Sequence, residues 1–208
     1  MGIATDERSA LSDLFDELGP DAATLCEGWQ ARDLAAHLVL RDRRPDAAAG
    51  IAIKAVAGRT ERVQRTIAAR PWAELVDQVR NGPPAWSPFR LPGLGDLVNG
   101  AEYFVHHEDL RRGQPDWEPR PADAARDEAV WKAARMTGRL AYRRSPVGVL
   151  LRRPDGAESA VHRGPDTVAI IGEPGELLLH MFGRDAVRVS FDGDQRSIAI
   201  VQGLDRAF

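Results

Sequence analysis

The chain carries five histidines, at positions 37, 106, 107, 162 and 180, and one cysteine, Cys26. A single thiol excludes an intrachain disulfide and a paired-cysteine zinc site, so a bound metal has to use histidines and carboxylates. The most informative spacing is that of Glu102 and His106 in EYFVHHEDLRR. Four residues apart on a helix, both side chains lie on one face, one turn apart, where they can chelate an ion together. Asn99 and Asp109 continue that stripe, because 99, 102, 106 and 109 advance by three or four. His37, in GWQARDLAAHLVLRDR, shares a helical face with Leu34, Leu38 and Arg41, and there a histidine has to be hydrogen-bonded or ligate something. Two facing helices that bring His37 to Glu102 and His106 make a site of two imidazoles and one carboxylate. Such a site leaves coordination positions open, as catalytic zinc and non-haem iron sites do. The plainer reading of the same spacing is a set of satisfied core side chains.

The other candidates carry less. His107 is rotated about 100° from His106 on a helix and is expected to pack or face solvent. Cys26 precedes a helix start and reads as a small buried hydrophobe. His162 falls in an expected hairpin and His180 in the apolar LLLHMFGR.

The elements that must position these residues are helical as far as about residue 143. Leu11, Leu14, Phe15 and Leu18 recur at helical spacing, and Gly19-Pro20 ends the segment. Further helices are expected over 30–43, between Pro45 and Ala69, and from Pro71 with Trp72, Leu75, Val76 and Val79 on one face. The proline- and glycine-rich stretch NGPPAWSPFRLPGLG, residues 81–95, reads as a long loop. Asp96 is a candidate N-cap for a helix running to about Arg112, which Gly113 and Pro115 close. A last long helix is expected over 122–143. Beyond Ser145-Pro146 the texture changes to short β-favouring runs at 147–151, 159–163 and 167–171, separated by Pro154-Asp155-Gly156 and Gly164-Pro165, with the first two forming a hairpin. A short helix follows over 176–182 and a strand over 187–191, while 197–204 fits strand or helix. The expected fold class is α+β, mainly α: a helical domain over residues 1–143 and a small α+β domain over residues 144–208.

The composition narrows the partners. Of the 208 residues 43% are hydrophobic and 28% charged, with 28 basic against 31 acidic, a net charge of −3. That balance suits a soluble globular chain and gives no clustered positive charge for nucleic acid or an anionic membrane. MGIATDERSALSD has neither a basic leader nor an apolar run, so the expected location is cytoplasmic. The expected partner is a small molecule, and the chain itself is read as a monomer or homodimer.

Two segments in order, EGWQARDLAAHL and EYFVHHEDLRR, resemble the GW-x-x-RDL-x-x-HL and E-x-x-x-H-x-x-DL motifs of the DinB-like, mycothiol-dependent maleylpyruvate isomerase family. GEPGELLLHMFGR is similar to a segment of that family's C-terminal domain, which is related to sterol-carrier-type folds. The resemblance implies a four-helix bundle in which His37, Glu102 and His106 bind one divalent ion, most often zinc. It implies mycothiol as the thiol cofactor, and places Arg184 where a family arginine approaches the site as a candidate catalytic residue. The sequence departs from the family at His107-Glu108, where Gly-Trp is common, and at Gln30, where a capping Thr or Ser is usual. These changes are expected to alter the pocket before the metal.

The function expected is a metal-dependent thiol transferase or isomerase, with Arg184, and also Arg41 or Arg90, available to grip a carboxylate through the guanidinium fork. A rival is a non-catalytic metal-stabilised bundle whose C-terminal domain binds a hydrophobic ligand or a partner. A third is a ferrous oxygenase, since two histidines and one carboxylate also suit iron.

Overall fold

A computed structural model describes residues 2–90 and 94–206. Among these the chain is α+β, with nine α-helices and one four-stranded sheet. Its contacts divide into two compact units, residues 1–120 and 121–208. No helix among the described residues is long and apolar enough to cross a membrane.

The first unit holds α1 (Ile3–Leu18), α2 (Ala31–Arg43), α3 (Pro45–Ala52), α4 (Ala57–Ala68), α5 (Trp72–Asn81) and α6 (Leu94–Arg112). The region expected to hold one helix between Pro45 and Ala69 is two, because Ile53 adopts an extended conformation and a 3-10 turn over Lys54–Val56 intervenes. α1 packs along α6 and α5, and α2 along α4 and α5. Leu11 and Phe15 of α1, Leu34, Leu38 and Leu40 of α2, Leu75 and Val79 of α5, and Tyr103 and Leu110 of α6 form one buried core. Phe15 meets Trp72 edge to face at 5.4 Å, a geometry that adds to area burial because ring edges and faces carry opposite partial charge.

α6 differs from the other helices in kind. Residues 103–110 are all buried, including His106, His107, Glu108 and Asp109, so this helix is enclosed on both its apolar and its polar sides. It begins at Leu94, ahead of the expected cap Asp96, which lies in the first turn instead. An acid there still faces the positive end of the helix dipole. Within the expected loop 81–95, Pro88–Arg90 is a 3-10 turn, and Leu91, Pro92 and Gly93 lie outside the described residues. At the other end Gly113 allows a close approach: a Cβ there would stand 2.4 Å from the Ala23 carbonyl oxygen.

The second unit contains α7 (Ala124–Ala141), β1 (Val149–Arg152), β2 (Glu158–His162), β3 (Val168–Ile171), α8 (Pro174–Met181), β4 (Ser190–Asp192) and α9 (Gln195–Gln202). The ambiguous tail is thus helical, capped by Asp194, whose side chain accepts from the amides of Arg196 and Ser197. The strand order is β2-β1-β3-β4, with β1 antiparallel to β2, parallel to β3, and β3 antiparallel to β4. Gly156, at φ +89°, makes the β1–β2 turn, where the left-handed region favours glycine. α7 packs on α8 and β2 and so lies in this unit, whereas the expected helical domain runs to residue 143. Gly138 permits that contact, since a Cβ there would stand 2.8 Å from Val161 Cγ1.

Inside this unit His180 is buried, its Nδ1 3.0 Å from the Tyr142 hydroxyl and its Nε2 against the Arg206 guanidinium. A guanidinium can only donate, so Nε2 accepts and Nδ1–H donates to the Tyr142 oxygen. Burial, with the Arg206 charge added, pushes the imidazole pKa down to about 3. Because the folded value lies below the unfolded one of about 6.5, the unfolded chain binds the extra proton between them. His180 therefore contributes full stability above pH 6.5 and loses it progressively as pH falls toward 3. Urea unfolding of the wild type is expected to weaken by about 2 kcal/mol more between pH 7 and pH 5 than that of His180→Phe. Equal pH slopes in the two proteins would refute this.

Candidate metal centre

The polar stripe of α6 meets α2 and the segment between α1 and α2. Glu102 Oε1 lies 3.3 Å from His37 Nε2 and 3.3 Å from His106 Nε2, and the three donor atoms fall within 4.8 Å of one another. The histidine rings are 5.1 Å apart and steeply inclined. Trp29 lies 5.2 Å from the His37 ring. The sequence stripe and the α2 histidine are thus brought together as the i, i+4 spacing requires.

Arg41, one turn beyond His37, is engaged by the protein itself. Its Nη1 donates to Asp42 Oδ1 at 3.0 Å and to Asn99 Oδ1 at 2.9 Å, its Nε lies 3.5 Å from Glu102 Oε1, and its guanidinium stacks 4.0 Å from the Phe89 ring. In this arrangement it balances Glu102 and Asp42. Asn99 passes the contact on by donating to the Phe89 carbonyl at 2.6 Å, which ties the proline-rich segment to α6. Arg90 is exposed and donates to the Pro83 carbonyl.

Asp109, fully buried, takes the far side of His106: its Oδ2 is 2.9 Å from Nδ1. A carboxylate there accepts the proton on Nδ1 and fixes the ring with Nε2 toward Glu102, the support that metal-ligating histidines commonly have. Asp109 also accepts from the Cys26 thiol at 3.2 Å. Sequence reasoning missed this, because the loop 19–30 is closed by tertiary contacts. Leu25 N donates to the Asp109 carbonyl at 3.0 Å, Gln114 Nε2 to the Ala23 carbonyl at 2.8 Å, and Ala23 pairs with Gln30 as an isolated bridge. The one signal available was the small residue Gly113, which marks the close crossing. Gln30, in the place of a usual capping Ser or Thr, has its own amide capped by Asp33 Oδ2 at 3.1 Å.

Burial opposes charge throughout the group. It lowers the His37 pKa more than the Glu102 hydrogen bond raises it. For Glu102 burial is outweighed by the two histidines and Arg41, which together hold the carboxyl well below the usual range. For His106 burial is outweighed by Asp109, Cys26 and Glu102, which raise its pKa well above the ordinary value.

The two separations from Glu102 match those of neighbouring ligands on a metal ion. Zinc stands about 2.0–2.1 Å from nitrogen and about 2.0–2.2 Å from oxygen, so neighbouring ligands of a tetrahedron are separated by roughly 3.3–3.5 Å. Both Glu102 to histidine separations are 3.3 Å. The side chain of Glu102 is 21% exposed against 9% and 11% for the histidines, so the group is accessible from the carboxylate side.

His107 and Glu108 turn away from this group. His107 Nδ1 lies 2.9 Å from Glu7 Oε2 of α1, and Glu108 faces Arg111, Arg112 and Arg120. The substitutions expected to alter the pocket before the metal therefore build a separate buried cluster on another face of α6. Arg184 belongs to the second unit, where its Nη1 donates to the Phe182 carbonyl at 2.7 Å.

No family model matches the chain, and no curated protein does. Among solved structures, the fold is similar to a point mutant of the mycothiol-dependent maleylpyruvate isomerase, with a TM-score of 0.61 and 13% identity over 91% of this chain and 90% of that one. A second structure of that isomerase matches with a TM-score of 0.56 and 15% identity over the same shares. At such identity the likeness is one of fold.

Proposed function

We propose that the chain binds one divalent metal ion, zinc in the first instance, through His37, Glu102 and His106, and is a mycothiol-dependent transferase or isomerase acting on a small electrophile. The observation that carries this reading is the pair of 3.3 Å separations from Glu102 Oε1 to the two Nε2 atoms, with buried Asp109 behind His106. A bound divalent ion lowers the pKa of the group it ligates, so that a thiol is a thiolate near neutral pH. Glu102 supplies the negative charge, Asp109 accepts the Nδ1 proton of His106 so that Nε2 is the nitrogen given up to the ion, and Trp29 lies against the His37 ring. Cys26 is turned to Asp109, so the reacting sulfur comes from a small thiol, and the fold likeness to a mycothiol-dependent enzyme supports mycothiol. Arg184 is the residue proposed to grip a substrate carboxylate. On this reading the N-terminal helices are a DinB-like bundle, the C-terminal unit is sterol-carrier-like, and the protein works in the cytoplasm.

Elemental analysis with a turnover screen tests the proposal. Purified protein is expected to carry close to one equivalent of divalent metal and to accelerate addition of mycothiol to electrophilic unsaturated acids. Less than about half an equivalent, unchanged in a His37→Ala, His106→Ala double variant, overturns the metal site. Full metal content with no turnover in any thiol and acid combination overturns the catalytic part and leaves a metal-stabilised binding protein.

A further inference from the structure

Behind His106 stands a second set of donors that the proposed function does not use as ligands. Cys26 Sγ is 3.2 Å from Asp109 Oδ2, Asp109 Oδ2 is 2.9 Å from His106 Nδ1, and one donor atom from each residue lies within 4.8 Å of the others. A sulfur, an imidazole nitrogen and a carboxylate oxygen thus converge from two pieces of chain 80 or more residues apart, held in register by the Leu25 to Asp109 backbone hydrogen bond. In a tetrahedral zinc site with one sulfur ligand the N···O edge is roughly 3.4 Å and the S···O edge roughly 3.6 Å. For bonds of zinc length the three side chains therefore need to open by about 0.5 Å, and by more for a larger ion; Cys26, on a loop, can supply the S···O part, and rotation of the His106 and Asp109 side chains has to supply the N···O part. A thiolate makes the set soft, which favours thiophilic ions over the hard divalent cations.

We propose that Cys26, His106 through Nδ1, and Asp109 form a second cation site for thiophilic ions such as cadmium, mercuric mercury or cuprous copper, and that it excludes the ion held by His37, Glu102 and His106. The exclusion rests on the metal reading above; the second site does not. Its cause is the imidazole that both sites share, since a neutral ring has one lone pair for a metal and carries its proton on the other nitrogen. With an ion on Nε2, the proton is on Nδ1 and Asp109 accepts it. An ion entering the second site releases the Cys26 thiol proton to solvent and takes the Nδ1 lone pair. The ring proton then re-forms on Nε2, where Glu102 Oε1 at 3.3 Å accepts it and the first site loses a ligand. A thiophilic ion thereby switches off the first site without touching His37.

The test is a cadmium titration of metal-free, full-length protein, followed by the sulfur-to-cadmium charge-transfer band in the ultraviolet. Wild type and His37→Ala are expected to develop the band up to about one equivalent, whereas Cys26→Ser and Cys26→Ala do not, with helical circular dichroism retained in at least one of the two. Asp109→Asn is expected to weaken cadmium by about 10-fold or more. Protein loaded first with zinc is expected to release it mole for mole as the band grows. No band in the wild type, or unchanged affinity in Asp109→Asn, overturns the site, the latter by showing a lone thiolate adduct. A band that grows while zinc is retained overturns the exclusion. A band in a protein that never takes up zinc supports the second site and removes the first.

Discussion

Glu102→Gln is expected to lower divalent-metal affinity by at least about 100-fold while costing the metal-free protein only about 1–2 kcal/mol of folding stability. The disparity follows from what surrounds the carboxylate. Its Oε1 faces both histidines at 3.3 Å and supplies the only negative charge of the three-residue group, so an amide leaves a dication with two neutral nitrogens. The fold depends on it less, because Arg41 keeps its bonds to Asp42 and Asn99 and its place on Phe89. Glu102 is also the most exposed member of the group, and the amide can still hydrogen-bond. Isothermal titration with zinc beside urea unfolding of the metal-free protein reads both quantities. Equal losses in the two, or metal affinity within about 10-fold of wild type, would count against ligation by Glu102.

Glu108→Ala is expected to destabilise the protein by about 3–5 kcal/mol, more than any other single change to the polar residues of α6. Glu108 is 1% exposed and sits among three guanidiniums: Arg112 Nε at 2.6 Å, Arg120 Nε at 2.7 Å and Arg111 Nη1 at 3.0 Å. Arg112 lies 4.4 Å from the Trp117 ring and is itself buried, and Arg120 lies 4.9 Å from the Phe104 ring. Removing the carboxylate takes away the charge that faces these guanidiniums, of which Arg112 has almost no access to water and Arg120 little. The second carboxylate nearby, Glu7, is shared between Arg120 and His107 and does not replace it. Glu108→Gln keeps the shape and part of the hydrogen bonding, so it is expected to cost roughly half as much. Urea unfolding distinguishes these outcomes; a loss under about 1 kcal/mol for Glu108→Ala would show that the guanidiniums find solvent.

The two expectations concern residues six apart on one helix, and they illustrate how far spacing carries. The step from 99 to 109 by threes and fours placed Asn99, Glu102, His106 and Asp109 on one side of α6, and the fold brings that side to His37. The same rule turned His107 away from it. Helical spacing is local geometry, set by 3.6 residues per turn, so it can be read without knowing what the helix touches. Spacing was silent on what waits on the other faces. A helix buried all round does not show the one-sided pattern from which an exposed face is inferred, and α6 carries ionisable residues on two buried sides.

What the sequence by itself determined, then, is the order and type of nearly all the elements, the α+β class, and which side chains share each helical face. The tertiary structure alone decided the rest. It split the 45–69 region into two helices, set α7 against α8 and β2 by way of Gly138, paired Glu7 with His107 across 100 residues, and carried Cys26 to Asp109 across 83. It also committed Arg41 to the protein's own carboxylates. The physical reason is common to all of these. Local elements follow from backbone hydrogen bonding and short-range side-chain pattern, whereas a buried polar group must find its partner wherever the chain's packing supplies one, and no periodicity along the chain encodes that meeting.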